Sequence, residues 1–246
     1  MEPIYQQDFE ITSIYVDRFG RLMPSKLLYI MQEVAGVHFS QLSMSYEALA
    51  EKGMFWAVTR HKVQITRLPS LGETITVETW PMPTTRVAFP RAMAAYDSQG
   101  NELFRSISIW VLMDLENRSM VLPGNSGVDV GGLLTGNELS VPHSILPKAL
   151  CNSTQRTVTY SCLDRNGHMN NTRYLDWVAD LLPSAFHREH TPRELLICYA
   201  SEALEAQVLN LDWELTEDGI LQVDAHREST DVSDKKHRVF SAQVLF

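Results

Sequence analysis

Between Leu163 and Asn171 the chain reads LDRNGHMNN, which sets a carboxylate, an amide and an imidazole two residues apart at Asp164, Asn166 and His168. An imidazole titrates near neutrality and can take a proton from water, a carboxylate can orient such a base, and an amide can polarise a carbonyl. If the segment is extended, alternate side chains share a face and the three groups converge. Gly167 permits the backbone to turn, and Asn170 or Asn171 suits the cap of a following helix, whose N-terminal N–H groups would favour a developing oxyanion. The same residues would equally make a polar turn in which Asp and Asn cap a helix and His fills a gap. A further carboxylate, Glu202, stands in the otherwise apolar, strand-like LLICYASEALEAQV. On a partly buried strand it is costly unless it has partners or a function, an edge-facing position being the alternative.

The elements that must position these groups occur twice. VDRFGRLMPSKLLYIMQEVAG, residues 16–36, aligns with LDRNGHMNNTRYLDWVADLL, residues 163–182, at a shift of 147 (164 − 17), so that Asp17, Arg18 and Gly20 meet Asp164, Arg165 and Gly167. Upstream of each copy lies a strand-like run, DFEITSIYV and RTVTYSCL. Downstream each becomes helical, with Leu27, Leu28, Met31, Val34, Ala35 and Leu42 on one 3.6-residue period after Pro24, and Tyr174, Trp177, Val178, Leu181 and Leu182 on another that Pro183 stops. Four extended runs follow in each half, separated by turn signals such as SQGN and TEDG. Each half thus reads as strand, long helix, four strands, in keeping with a helix packed on an antiparallel sheet. The first copy has Phe19 and Arg21 where the second has Asn166 and His168. An architectural need for Asn and His would appear in both copies, so one half is expected to be active and the other structural.

The chain has 246 residues, 44% of them hydrophobic, enough for one large core or two linked domains. Its formal net charge of −9 argues against wrapping nucleic acid or coating an anionic membrane. No run approaches the roughly 20 apolar residues that span a bilayer, and the N-terminal residues lack the order of a secretion or transit signal, so a cytoplasmic protein is expected. Cys151, Cys162 and Cys198 have neither disulfide-framework nor zinc-site spacing. The glycine-rich stretch 122–142 has the composition of a linker.

The long pattern D-x-N-x-H-x-N-N-x-x-Y, supplied by Asp164, Asn166, His168, Asn170, Asn171 and Tyr174, resembles the catalytic segment of the acyl-acyl-carrier-protein thioesterases of plants and bacteria, a double hot-dog family. That family next has Tyr-x-x-Glu-Cys on a strand; here Tyr199 and Glu202 match, and Ala203 stands in place of the cysteine. MQEVAGVH, FWAVTRHKVQITRLPSLGETITVETW and SISIWVLMDLENR in the first half are similar too. The resemblance implies an α+β tandem hot-dog fold, each half a long central helix wrapped by a bent antiparallel sheet. It implies a non-catalytic N-terminal domain over residues 1–125 that holds the acyl chain, a linker over 126–153 and a catalytic domain over 154–246.

It further implies hydrolysis of fatty acyl-acyl-carrier-protein to free fatty acid and carrier by Asp164, Asn166, His168 and Glu202, with neither cofactor nor metal. With alanine at position 203, attack by water or a carboxylate is favoured over a thiol. Glu202 and His168 would activate the water, Asn166 and helix N–H groups would polarise the carbonyl, and Asp164 would orient its neighbours or attack directly. The expected partner is acyl carrier protein bearing a phosphopantetheine-linked acyl chain, docked near Arg156, Arg165, Arg173, Arg188 and Arg193, with the enzyme a monomer or homodimer. Alternatives are an acyl-CoA thioesterase, a hot-dog hydratase or dehydratase, and a non-enzymatic acyl-binding module. A metal-dependent hydrolase using His187 and His190 of HREH is a weaker reading.

Overall fold

In the computed structural model, residues 3–134, 139–227 and 238–246 are described; residues 135–138 of the expected linker and 228–237 of the expected C-terminal domain lie outside them. The chain divides into two compact units, Met1–Pro142 and His143–Phe246.

In the first unit, strand β1 (Tyr5–Glu10) is followed by helices α1 (Pro24–Gln41) and α2 (Tyr46–Ala50). Strands β2 (Met54–Ile65), β3 (Thr74–Pro81), β4 (Phe89–Tyr96), β5 (Glu102–Asp114) and β6 (Met120–Val121) and the short helix α3 (Pro123–Ser126) complete it. The antiparallel sheet runs β1-β3-β4-β5-β2, with β6 on β5. Pro24 occupies the first turn of α1, where a missing N–H costs nothing. Leu27, Leu28, Met31, Val34, Ala35 and Phe39 are all buried, as their period requires. Apart from Ala35, each such side chain contributes about 1.5–3 kcal/mol relative to exposure.

The linker composition conceals packing. Leu133 donates its N–H to Pro81 O at 2.8 Å and rests on Trp80, Ala92 and Ala94, while Leu139 packs on Ala88, Ile107, Ile109 and Val111. A strand buried on both faces loses its two-residue alternation, which is why seven of the eight residues of β4 are buried.

The second unit repeats the plan. Its elements are β7 (Asn152–Thr157), a 3₁₀ turn (Tyr160–Cys162), α4 (Arg173–Ala179), α5 (Ser184–Glu189), β8 (Glu194–Tyr199), β9 (Val208–Leu215), β10 (Ile220–Arg227) and β11 (Arg238–Leu245). Its sheet order, β7-β9-β10-β11-β8, is that of the first unit element for element. Even the register is kept. Tyr5 pairs with Thr79 and Glu10 with Thr74; Asn152 pairs with Trp213 and Thr157 with Val208.

The helices differ. Where α1 has 18 residues, α4 has seven, and Leu181 and Leu182 lie beyond its end in a turn that leads through Pro183 into α5. The expectation of one long helix in each half therefore holds for the first unit; in the second, Pro183 divides the apolar run into two short helices.

Candidate active site

Residues 164–168 form a tight turn, not the extended segment expected from alternation. Asp164 N–H donates to His168 O at 2.8 Å and Gly167 N–H to Asp164 O at 3.1 Å. Asp164 Oδ1 accepts the N–H of Asn166 at 2.8 Å and faces that of His168 at 3.4 Å. Gly167 has φ 78°, a left-handed conformation that a side chain would strain.

The first unit closes the same turn. Asp17 Oδ1 accepts from Phe19 N–H at 2.8 Å and Arg21 N–H at 3.0 Å, and Gly20 has φ 75°. Since Asp and Gly serve this geometry in both units, Asp164 is accounted for as the group that shapes the turn. What the second unit adds is Asn166 and His168.

The turn delivers His168 to its partner through a second contact. Met169 N–H donates to Ala203 O at 2.8 Å, and His168 forms an antiparallel bridge with Leu204. His168 Nε2 thereby lies 3.1 Å from Glu202 Oε2. Glu202 is not on a strand: β8 ends at Tyr199, and the carboxylate side chain, 46% exposed, sits past its end. The desolvation cost expected from the sequence is therefore small, and Glu202 is distinguished by its partner rather than by burial. The residue before it is tied down on two sides, since Ser201 Oγ donates to Arg238 O at 2.9 Å and accepts from Arg227 Nη2 at 2.8 Å.

The equivalent bonds exist in the first unit, where Leu22 N–H donates to Pro69 O at 2.8 Å and Arg21 bridges Ser70. At this shift of 134 (204 − 70), Leu68 occupies the place of Glu202, and Arg21 that of His168. Arg21 Nη2 turns back to Asp17 Oδ2 at 3.1 Å, and Leu68 is buried. The first unit thus keeps the scaffold and lacks any group at these positions able to take a proton from water.

Other expected participants are placed as follows. Asn166 is exposed at the turn. Asn170 Oδ1 accepts both the N–H and the Oγ1–H of Thr172 at 2.9 Å, so Asn170 organises the entry to α4, whereas Asn171 offers its carbonyl to Tyr199 Oη at 2.9 Å. At the entry to α4, Thr172 N–H is engaged by Asn170 Oδ1 and Arg173 N–H by Asn170 O at 2.9 Å. Ala203 is fully buried, and no thiol stands there. His187 Nε2 contacts Ala179 O at 2.9 Å and His190 Nδ1 contacts Phe186 O at 3.0 Å, so both rings are engaged with backbone carbonyls. Among the described residues, no three His, Cys, Asp or Glu gather as a metal site. Of the arginines, Arg173 pairs with Asp176 at 3.3 Å, Arg156 lies 3.9 Å from Asp180, and Arg193 Nη2 donates to Phe246 O at 2.5 Å.

Two residues near the site carried no role in the sequence reading. Burial pushes the Tyr174 phenol well above its usual range, with Arg227 opposing and Asp164 and Glu202 reinforcing the shift, so this buried hydroxyl senses the site's charges. Its signal was the last position of the long motif. Arg227, at the end of β10, had no signal, because a lone arginine closing a strand reads as surface charge.

The sequence profile of the acyl-ACP thioesterase N-terminal domain matches residues 2–122, and that of the C-terminal domain residues 147–241. The chain belongs to the acyl-ACP thioesterase family. Within that family it is similar to the chloroplastic palmitoyl-acyl carrier protein thioesterase of Gossypium hirsutum, 25% identical over 222 residues, covering 84% of this chain and 54% of the relative. The chloroplastic oleoyl-acyl carrier protein thioesterase 1 of Arabidopsis thaliana is 22% identical, covering 84% and 62%. The chain thus spans between half and two thirds of the length of these plant thioesterases. Among solved structures, an acyl-ACP thioesterase from Bacteroides thetaiotaomicron superposes with a TM-score of 0.89 at 24% identity, covering 99% of this chain and 98% of that one. The 12:0-ACP thioesterase of Umbellularia californica superposes with a TM-score of 0.82 at 20% identity, covering 100% and 97%. The fold is accordingly α+β with two hot-dog units in tandem.

Proposed function

We propose that the protein hydrolyses the thioester of fatty acyl-acyl-carrier-protein, releasing a free fatty acid and the carrier thiol. The observation that carries this reading is the 3.1 Å contact of His168 Nε2 with Glu202 Oε2 in the second unit, where the first unit has Arg21 and Leu68. Family membership supplies the substrate class.

An ionised carboxylate only accepts hydrogen bonds, so facing Glu202 the His168 Nε2 carries the proton and the Nδ1 lone pair is the base. His168 takes a proton from water, the oxygen adds to the thioester carbonyl carbon, and the Asn166 amide stabilises the oxyanion. As the tetrahedral adduct collapses the C–S bond breaks and the imidazolium returns its proton to the departing thiolate. Asp164 acts by shaping the turn that carries His168 and Asn166. The first unit, on this reading, holds the acyl chain, and the exposed arginines near the turn meet the acidic carrier.

No described helix is long and apolar enough to cross a membrane. Cys151, Cys162 and Cys198 are all free thiols, in keeping with a reducing compartment such as the cytoplasm. Thiol release from saturated acyl-carrier-protein and acyl-CoA substrates tests the proposal. Turnover that is faster on the carrier protein and abolished by His168→Ala supports it. Release that survives this change, or hydration of an enoyl thioester without thiol release, refutes it.

A further inference from the structure

The segment that carries Glu202 is built alike in both units except for one pair of side chains. Ala200 and Ser201 donate their N–H groups to Val239 O at 2.8 and 3.2 Å, as Thr66 and Arg67 donate theirs to Leu103 O at 2.9 and 3.1 Å. The shift of 134 that sets Leu68 at the place of Glu202 thus sets Arg67 at that of Ser201. The neighbouring strand matches as well. The β10–β11 ladder slips between Ala225 and His226, and the β4–β5 ladder between Ala95 and Tyr96. Such a slip bends a strand and re-aims the side chains beyond it. At this shift of 130 (225 − 95), Asp97 stands at the place of Arg227.

In the first unit the cation is on the segment itself: Arg67 Nη1 meets Glu73 Oε2 at 2.8 Å, and its Nη2 faces Asp97 Oδ2 at 3.7 Å. In the second unit both residues differ. The segment carries a hydroxyl, and the strand carries the cation, with Arg227 Nη2 donating to Ser201 Oγ at 2.8 Å. Ser201 Oγ passes its own hydrogen to Arg238 O at 2.9 Å. A hydroxyl accepts and donates at once, so one oxygen ties the segment to β10 and β11 together.

This exchange bears on the residue that follows. The Glu202 side chain is 46% exposed, so its place depends on the backbone to either side more than on packing. One side is held through Ser201, the other by the bond from Met169 N–H to Ala203 O at 2.8 Å. An arginine at 201 would adjoin Glu202, and its guanidinium fork would compete with His168 for the carboxylate. Placed on β10, the cation grips a neutral oxygen instead. The Tyr174 phenol, raised chiefly by burial, is lowered by Arg227 and raised by Asp164 and Glu202, so the guanidinium acts electrostatically on the same buried hydroxyl as the site's carboxylates.

We propose that Arg227 is a positioning residue of the site, holding the segment 200–203 through Ser201 so that Glu202 meets His168. Its effect on turnover rests on the hydrolase reading; its effect on the segment does not.

Two measurements on the full chain test this: amide hydrogen exchange at Met169 without substrate, and kcat and KM for acyl-carrier-protein. They are made on the native protein, Arg227→Met, Arg227→Lys, Ser201→Ala and the double variant Arg227→Met/Ser201→Ala. In Arg227→Met the Met169 amide is expected to exchange about tenfold faster, since a charge-assisted hydrogen bond is lost, while the equivalent Leu22 amide of the first unit keeps its native rate. The kcat should fall by about ten- to hundredfold with KM within about twofold of native, as a displaced proton-handling group requires. Arg227→Lys, which keeps a charged donor, should recover part of both. Because Arg227 acts through Ser201, the double variant should be no worse than Ser201→Ala.

Native exchange at Met169 in Arg227→Met overturns the proposal, as does a raised KM at native kcat, which would make Arg227 a carrier contact, or losses that multiply in the double variant. If Arg227→Met does not fold, Ser201→Ala and Arg227→Lys decide by the same measures. Absence of thiol release by the native protein refutes the hydrolase reading and leaves the exchange rates to judge this one.

Discussion

Asp164 offers the sharpest separation of shaping from chemistry. If its function is the turn, replacing it by asparagine keeps an oxygen where Oδ1 accepts from Asn166 N–H at 2.8 Å and faces His168 N–H at 3.4 Å. A hydrogen bond to a carboxylate is worth about 1.5–3 kcal/mol and one to a neutral oxygen about 0.5–1.5 kcal/mol, and the longer contact counts for little. Asp164→Asn should therefore cost about 1–2 kcal/mol in urea unfolding. Because the amide still closes the turn, kcat/KM should fall by no more than about tenfold. Asp164→Ala removes the acceptor, and both stability and activity should fall further. Asp17→Asn provides the control, because its two short bonds are joined by the Arg21 contact at 3.1 Å: stability should drop at least as much, with thioester turnover per folded molecule unchanged. Loss of more than about a thousandfold in Asp164→Asn, with the unfolding midpoint of its Asp17→Asn counterpart, would show that the carboxylate itself attacks or transfers protons and would refute the turn-shaping account.

Other consequences of the structure can be checked separately. Burial pushes the His61 imidazole down from 6.5 to about 3. The unfolded chain therefore binds a proton that the folded one refuses: the stability is fully present above about pH 6.5 and is lost as the pH falls toward 3. Between pH 6.5 and 5 the loss is about 2 kcal/mol from this group, and the difference between native protein and His61→Gln in urea midpoints across that range should show it. An equal slope for both would contradict this. Gly167→Ala should cost about 1–2 kcal/mol from backbone strain alone, since its φ is 78° and nothing lies within 4 Å of an added Cβ. A fully stable and active Gly167→Ala would mean that the turn can be made another way.

The duplicated plan was legible because hydrophobic period and turn residues report local structure directly. Ile11 and Val158, which the alignment superposes, both sit at the end of a strand and exchange equivalent backbone bonds, Gly72 N–H to Ile11 O at 2.8 Å and Ala206 N–H to Val158 O at 2.9 Å. The helix ends were less legible: Leu181 and Leu182 keep the apolar period of α4 while the backbone has already turned, because period records which face is buried and not where the hydrogen bonding stops. The structure brings two of the expected site residues, His168 and Glu202, into contact, while the local conformation of residues 164–168 differs from the extended one considered from the sequence. Alternation at Asp164, Asn166 and His168 suggested a strand, but a carboxylate two and four residues before free N–H groups, with glycine following, closes a turn. Glu202 was legible as a carboxylate in an otherwise apolar run, and the resemblance supplied its expected role. Its neighbour relation to His168 depends on the Met169–Ala203 bond between segments more than thirty residues apart, which no local pattern encodes. The burial of Arg91 on β4, 1% exposed, was invisible for the same reason, since nothing in FPRAMAAY distinguishes an interior arginine from an edge one.

The pairing of His168 with Glu202 is tested most directly by a double-mutant cycle read as thiol release from acyl-carrier-protein at saturating substrate. His168→Ala and Glu202→Gln should each lower kcat by about a hundred- to ten-thousandfold, and the double variant should be little worse than His168→Ala, because the two act as one proton-handling unit. Multiplying losses, or a Glu202→Gln variant with native kcat, would contradict the account.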